Sequence, residues 1–386
     1  MDVSTLAPPL RIARVAVFAV FGFNGFLLAM WVVHIPVVTE RTGVSHATLG
    51  MLILLMAGGS IVGMRAAGPL ADRWGSRTLV TAALCWGSLA VLGPGLAGGP
   101  VALAVALAAF GFGNGALDVS MNAQAVQVER QYGRPIMSAF HALFSCGGLV
   151  GSLAGAAAMR AGFDIRLTLG CAAALGGVVI VVCAPRLLPR TESRTATTTV
   201  ESPPTSRSRR VLGLAAVAFA LLMAEGVAND WSALQVREHL GVADATAALA
   251  FGAFSTTMTI GRFGADRVSA RFGRVAVVRW GCLLAAAGLL TIMASPWVSL
   301  TLAGWALMGI GLAGGVPQIF TVAGNLGSAT AATDMSRVFG LGYFGLLAGP
   351  SVIGWLSKPT SLTVALVVPL AAVLLCAYFA RVVADS

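Results

Sequence analysis

Long apolar stretches broken by short polar turns run the length of this chain, and the lengths of the stretches set the architecture. A membrane-spanning helix needs about 20 mainly apolar residues. Twelve such stretches predict helices over residues 12–34, 46–66, 78–97, 101–127, 136–159, 166–185, 211–233, 245–265, 275–294, 297–321, 336–357 and 361–380. Twelve crossings place both ends of the chain on one side of the membrane. The longest hydrophilic stretch, Arg186 to Arg210, is rich in Ser, Thr, Pro and Arg and holds too little apolar surface to fold by itself. It separates six helices from six, which predicts an N-terminal bundle over 1–185, a linker over 186–210 and a C-terminal bundle over 211–386.

The halves also match in register. GFGNG from Gly111 to Gly115 answers GIGLA from Gly309 to Ala313, and CGGLVG from Cys146 answers FGLLAG from Phe344 at the same offset. A parallel repeat of this kind implies a pseudo-two-fold axis along the membrane normal, with the substrate site near the midplane between the halves. The expected class is an all-α membrane protein of two pseudo-symmetric six-helix bundles.

Composition removes the soluble alternatives. The chain is 57% hydrophobic and only 10% charged, whereas soluble domains carry about 25% charged residues. Its 47 glycines suit helices that approach closely in lipid. A net charge of +10 would point to nucleic acid in a soluble protein. Here the arginines sit in short loops between apolar runs, so the charge reads as topology and no nucleic-acid partner is expected. With the N-terminus inside, Arg41, Arg160, Arg166, Arg237 and Lys358 fall outside and the rest of the 25 basic residues, Arg262 among them, fall on the cytoplasmic side. Both termini are therefore expected in the cytoplasm of a bacterial cell, with the chain in its inner membrane. No cleavage site follows the first apolar run, which reads as a retained helix. The six cysteines lie inside apolar segments without CxxC spacing or histidine neighbours. They read as packing residues, and neither a metal nor a cofactor is expected.

Two turns carry a recurring pattern: GPLADRWGSR, Gly68 to Arg77, and GRFGADRVSARFGR, Gly261 to Arg274. Glycine allows close packing and a reversed backbone, the aspartate can face a helix N-terminus or an arginine, and the arginines anchor the turn. The simplest alternative is that these arginines only hold the turns at the inner surface. The doubled pattern resembles the signature loop of the major facilitator superfamily. That resemblance implies the twelve-helix fold, rocker-switch alternating access, and an inner gate built from Gly68, Asp72, Arg73, Gly75 and Arg77, joined by Glu129 and Arg134. The second copy contributes Asp266, Arg267 and Arg274, but departs from the pattern: Arg262 stands where Gly68 stands in the first, and a longer stretch precedes Gly273. The run Leu117 to Ser152, with WVVHIP from Trp31 to Pro36, is similar to a little-characterised bacterial branch near the fucose and glucose permeases.

Ionisable residues inside apolar helices are costly and mark function by default. Asp118 shares a helical face with Asn114 and Asn122 at i±4 spacing. His141 falls at a similar depth in the next helix, so an Asp118–His141 pair that exchanges a proton is one reading and a static hydrogen bond another. Glu225 lies level with Asn24 across the repeat. Asp118, Glu225 and His141 are thus the candidate proton-coupling groups, and Asn24, Asn114, Asn122, Trp231 and Gln318 the candidate substrate contacts. Trp231 serves equally well as an interface anchor, and His34 reads as an interface residue. Gln318, beside Pro317 and a glycine cluster, sits where the backbone is expected to open.

The expected function is a secondary transporter of a small polar, sugar-like solute, coupled to protons by symport. No intramembrane arginine of the kind seen in drug antiporters stands in the fourth predicted helix. Proton-driven export of drugs or metabolites is the alternative, favoured by the glycine-rich runs at Cys146 to Gly151 and Gly345 to Pro350; a transport-dead sensor is a third. The plain external loops offer no nucleophile or metal cluster, so an enzyme is not expected. A monomer is expected, with the lipid bilayer as its other partner.

Overall fold

The computed structural model describes residues 8–190, 204–326 and 330–384. Among them every regular element is helical. We number the long helices α1 (Pro8–Thr42), α2 (His46–Trp74), α3 (Ser76–Leu96), α4 (Pro100–Tyr132), α5 (Met137–Arg160) and α6 (Ile165–Cys183). After them come α7 (Pro204–Leu240), α8 (Asp244–Phe272), α9 (Arg274–Ala294), α10 (Val298–Asn325), α11 (Ala331–Ser357) and α12 (Leu362–Tyr378). Each coincides with one of the twelve predicted stretches, and most run past it by a turn or two.

Ten of these helices are long and apolar enough to cross a membrane. The other two have identifiable reasons for falling short. α8 is diluted by Ser255, Thr256, Thr257 and Thr259 and then by Arg262, Asp266 and Arg267. α12 is short and is interrupted at Leu366, three residues before Pro369, whose ring nitrogen cannot donate to the preceding turn. Of the predicted 186–210 linker, residues 191–203 lie outside the described residues. α7 already begins at Pro204, inside that stretch.

The chain forms two compact units. One gathers the described residues of Met1–Arg134, Leu143–Thr197 and Gly327–Ser336; the other gathers those of Pro135–Ala142, Thr198–Leu326 and Arg337–Ser386. The first turns of α5 thus cluster with the second unit, and the first turns of α11 with the first.

Within each unit the same glycines bring the same helices together. In the first, a Cβ at Gly111 would strike the Met56 carbonyl of α2, and one at Gly147 the Gly22 carbonyl of α1. In the second, Gly309 lies equally close to the Phe254 carbonyl of α8, and Gly345 to the Phe219 carbonyl of α7. These are the glycines of the matched sequence runs. The repeat is therefore one of backbone contacts, where lipid provides no hydrophobic drive and close approach supplies the attraction.

Candidate functional site

The two aspartate turns have one geometry. α2 ends at Trp74 and α3 starts at Ser76, with only Gly75 between them at φ 88° and ψ 145°. α8 ends at Phe272 and α9 starts at Arg274, with only Gly273 between them at φ 82° and ψ 162°. Positive φ with extended ψ is open in practice to glycine alone, which is why a glycine closes both turns.

One turn before Gly75 and two turns before Gly273, an aspartate caps a helix far away in sequence. Asp72 accepts the backbone N–H of Ala332 and of Thr333, both at 3.0 Å, and the Thr333 hydroxyl at 2.6 Å. Asp266 accepts the backbone N–H of Ser138 at 3.0 Å and of Ala139 at 2.8 Å. In both cases the donors are the second and third residues of a helix, α11 and α5 respectively. Those N–H groups are ordinarily satisfied by the residue preceding the helix. Ile136, which precedes α5, has no side-chain oxygen, so Asp266 performs that task from α8. The positive end of the helix dipole adds attraction for the carboxylate. Gly68, one turn before Asp72, makes room: a Cβ there would lie 2.6 Å from the Ser336 Cβ and 2.9 Å from the Ala332 carbonyl oxygen.

The arginines of these turns behave differently. Arg73 and Arg267 are exposed, and Arg77 and Arg274 half-buried; the Arg73 carbonyl accepts from Arg190 at 2.6 Å. Glu129 is buried near the end of α4. Arg134 lies over the Tyr132 ring at 5.2 Å, and Arg14 covers the same ring at 4.9 Å while donating to its hydroxyl at 2.7 Å. Sequence reasoning passed over this Arg14–Tyr132–Arg134 group.

In the second unit the intramembrane carboxylate Glu225 pairs with Arg262. Arg262 Nη2 lies 3.3 Å from Glu225 Oε1, with side-chain exposures of 11% and 17%. Arg262 is one helical turn deeper than Asp266, about 6 Å along α8. It was counted among the topological arginines of a loop; the signal that it is something else was its place opposite Gly68 in the repeat. His141, in the first turns of α5, donates through Nδ1 to the Met137 carbonyl at 3.1 Å. Its ring lies 5.8 Å from that of Phe320, itself 3.6 Å from Phe339. α10 is interrupted at Ala313 and Gly314, as the glycine cluster before Pro317 led us to expect. Beyond the break, Gln318 is buried and its Oε1 accepts from the Ser269 hydroxyl at 2.9 Å. The Gln318 amide nitrogen and the Thr321 hydroxyl are buried with no protein partner among the described residues. Trp231 donates to the Pro350 carbonyl at 2.9 Å.

In the first unit the polar face of α4 is present. Asn122 donates to the Asp118 carboxylate at 3.2 Å and to its carbonyl at 2.9 Å, and Asn114 is half-buried one turn earlier. Asn122 and Asp118 are buried, and the Asn122 carbonyl oxygen has no partner among the described residues. Asn24 on α1 is buried against Met121, its amide 3.8 Å from the sulfur. Asp118 and His141 belong to different units, as do Asn24 and Glu225. His34 differs from expectation: it is 1% exposed and bonded at 2.7 Å to the Met30 carbonyl, a buried residue and not an interfacial one.

The Major Facilitator Superfamily model matches residues 15–228. The chain belongs to that superfamily. An uncharacterized MFS-type transporter of Yersinia pestis is 32% identical over 348 residues, 89% of this chain and 89% of that protein. Membrane protein MosC of Rhizobium meliloti is 31% identical over 360 residues, 92% of this chain and 86% of that protein. Among solved structures, the transporter FucP in its outward conformation matches with a TM-score of 0.81 over 98% of this chain and all of its own. At 14% identity, that likeness speaks for the fold. The protein is thus a multi-pass membrane protein of a transporter family, with twelve helices in two repeats.

Proposed function

We propose that the protein is a proton-coupled symporter of a small polar solute, working by alternating access of its two repeats, and that Glu225 carries the coupling proton. The observation behind this is the Glu225–Arg262 pair in the interior of two long helices. Burying two charges costs several kcal/mol per ion unless the pairing is excellent, so such a pair is weak evidence for stability and good evidence for a working site. The 3.3 Å contact between them is longer than the roughly 2.7–2.9 Å of a tight charge-assisted bond. A proton arriving on the Glu225 carboxylate cancels its charge and loosens its hold on Arg262. The guanidinium donors that faced Glu225 can then turn to a solute oxygen; loss of the proton restores the pair.

That the solute is polar is supported by the side-chain oxygen of Asn122, the amide nitrogen of Gln318 and the Thr321 hydroxyl, which have no partner among the described residues, since buried polar atoms are nearly always satisfied. Asn24, Asn114 and Trp231 join them as proposed solute contacts, with Asp118 and His141 as secondary proton-handling groups. FucP, of like fold, is a fucose:proton symporter. In the same reading Asp72 and Asp266 are the gates. Each grips a helix N-terminus through hydrogen bonds that must break when access changes, with Gly68, Gly75, Arg73, Arg77, Glu129, Arg134, Arg267 and Arg274 around them. The chain lies in a bacterial inner membrane with both termini cytoplasmic, as its arginine distribution supports, and one chain holding both repeats works as a monomer.

The test is purified protein in liposomes, screened against sugars, nucleosides, amino acids and organic cations. An inward proton gradient is expected to drive accumulation of one class. Glu225→Gln should abolish accumulation and spare solute exchange. Accumulation indifferent to an uncoupler, or undiminished in that variant, removes proton coupling.

A further inference from the structure

Away from all of these residues, α7, α9 and α12 enclose a groove of about 870 Å³ on the second unit. Ala216, Ala220 and Met223 of α7 line one side, and Leu375 of α12 with Phe379 just beyond its end the other. The lining on α7 runs from Gly213 to Met223, about 15 Å at 1.5 Å per residue, half of the roughly 30 Å hydrocarbon thickness of a bilayer. The groove is therefore one leaflet deep. Its α12 wall is exposed, with Leu375 58% and Tyr378 77% exposed.

One end of it is not apolar. Arg279, near the start of α9, and Arg381, just past the end of α12, both line the groove. Arg279 donates through Nε to the Ala377 carbonyl at 3.3 Å, which fixes its guanidinium beside α12, and Arg381 is exposed. Neither has an acidic partner among the described residues. Two cations with no acidic partner among the described residues, at the arginine-rich end of a leaflet-deep apolar channel, match one kind of molecule: an anion joined to a hydrocarbon chain. A water-soluble anion would leave the apolar length unfilled, and a neutral lipid would leave the arginines unmatched.

We propose that this groove is a binding site for an anionic phospholipid, with one acyl chain along α7 and the headgroup phosphate at Arg279 and Arg381. The site stands apart from the proposed solute path and does not depend on what the protein carries.

The test is native mass spectrometry of the purified full-length chain offered equal amounts of phosphatidylglycerol and phosphatidylcholine. Two basic residues near a surface, each giving about a fivefold preference, should favour the anionic lipid about 25-fold. The double variant Arg279→Gln/Arg381→Gln should bring the two lipids to parity. Ala216→Trp fills the groove from an exposed position and leaves both arginines in place; it should lose the retained lipid altogether. Equal retention of both lipids by the parent protein overturns the proposal, as does undiminished phosphatidylglycerol in Ala216→Trp. So does an equal rise in melting temperature with inorganic phosphate alone, which would make the site one for a bare anion.

Discussion

Replacing Asp72 by Asn tests the gate at its most defined point. The carboxylate holds two N–H groups and a hydroxyl at the start of α11. An amide keeps one acceptor oxygen, loses the charge and turns an N–H group toward a donor. Losing the charge at a helix N-terminus costs about 1 kcal/mol, and leaving one buried donor unsatisfied about 2 kcal/mol more. A total of about 3 kcal/mol is roughly a 100-fold shift toward the released state. Ser336, packed beside Gly68 and 2% exposed, is a reporter of that release. In a variant lacking the native cysteines, Ser336→Cys should react with a membrane-impermeant thiol reagent about 100-fold faster once Asp72→Asn is added. Ser138→Cys, 0% exposed and beside Asp266, is the matching reporter for Asp266→Asn. A change of less than twofold at Ser336 in Asp72→Asn would refute the capping argument. An equal rise at both reporters in an otherwise wild-type gate would mean general unfolding instead.

Other consequences are sharper in sign than in size. Gly147→Ala should give little folded protein, because its Cβ meets the Gly22 backbone, whereas Gly148→Ala should be silent with its nearest contact at 3.8 Å; yield by size-exclusion chromatography separates them. Gly75→Ala, forced to φ 88°, should cost about 1–3 kcal/mol and lower the unfolding temperature by several degrees. Trp231→Phe removes one hydrogen bond to Pro350, worth about 1 kcal/mol. As a proposed solute contact, Trp231 predicts that the solute KM rises along with this loss of stability; an unmoved KM would leave it a purely structural anchor.

What the sequence made legible was whatever depends on local runs. The twelve helices, the two glycine-closed turns and the break before Pro317 follow from apolar length, φ preference and the missing proline donor, all written within a few residues. The partners of Asp72 and Asp266 were not legible, since they are backbone N–H groups that any residue carries, 260 and 127 positions away. A charge count places Arg262 in a loop because it cannot tell a loop arginine from one nearly three turns inside a helix. The comparison with Gly68 held that information, since a cation standing where the sister repeat needs the smallest residue has to find its own acceptor. His34 was read from its nearness to a predicted helix end, but α1 runs on to Thr42 and leaves it buried.

The most direct test of the central claim is the proton itself. Vesicles containing the protein and a trapped pH-sensitive dye, with no imposed gradient, are given the solute from outside. Proton-coupled symport through Glu225 predicts an immediate internal acidification that tracks solute entry, absent in Glu225→Gln although that variant still exchanges labelled solute. Solute entry with no internal pH change, or an unaltered acidification in Glu225→Gln, would contradict it.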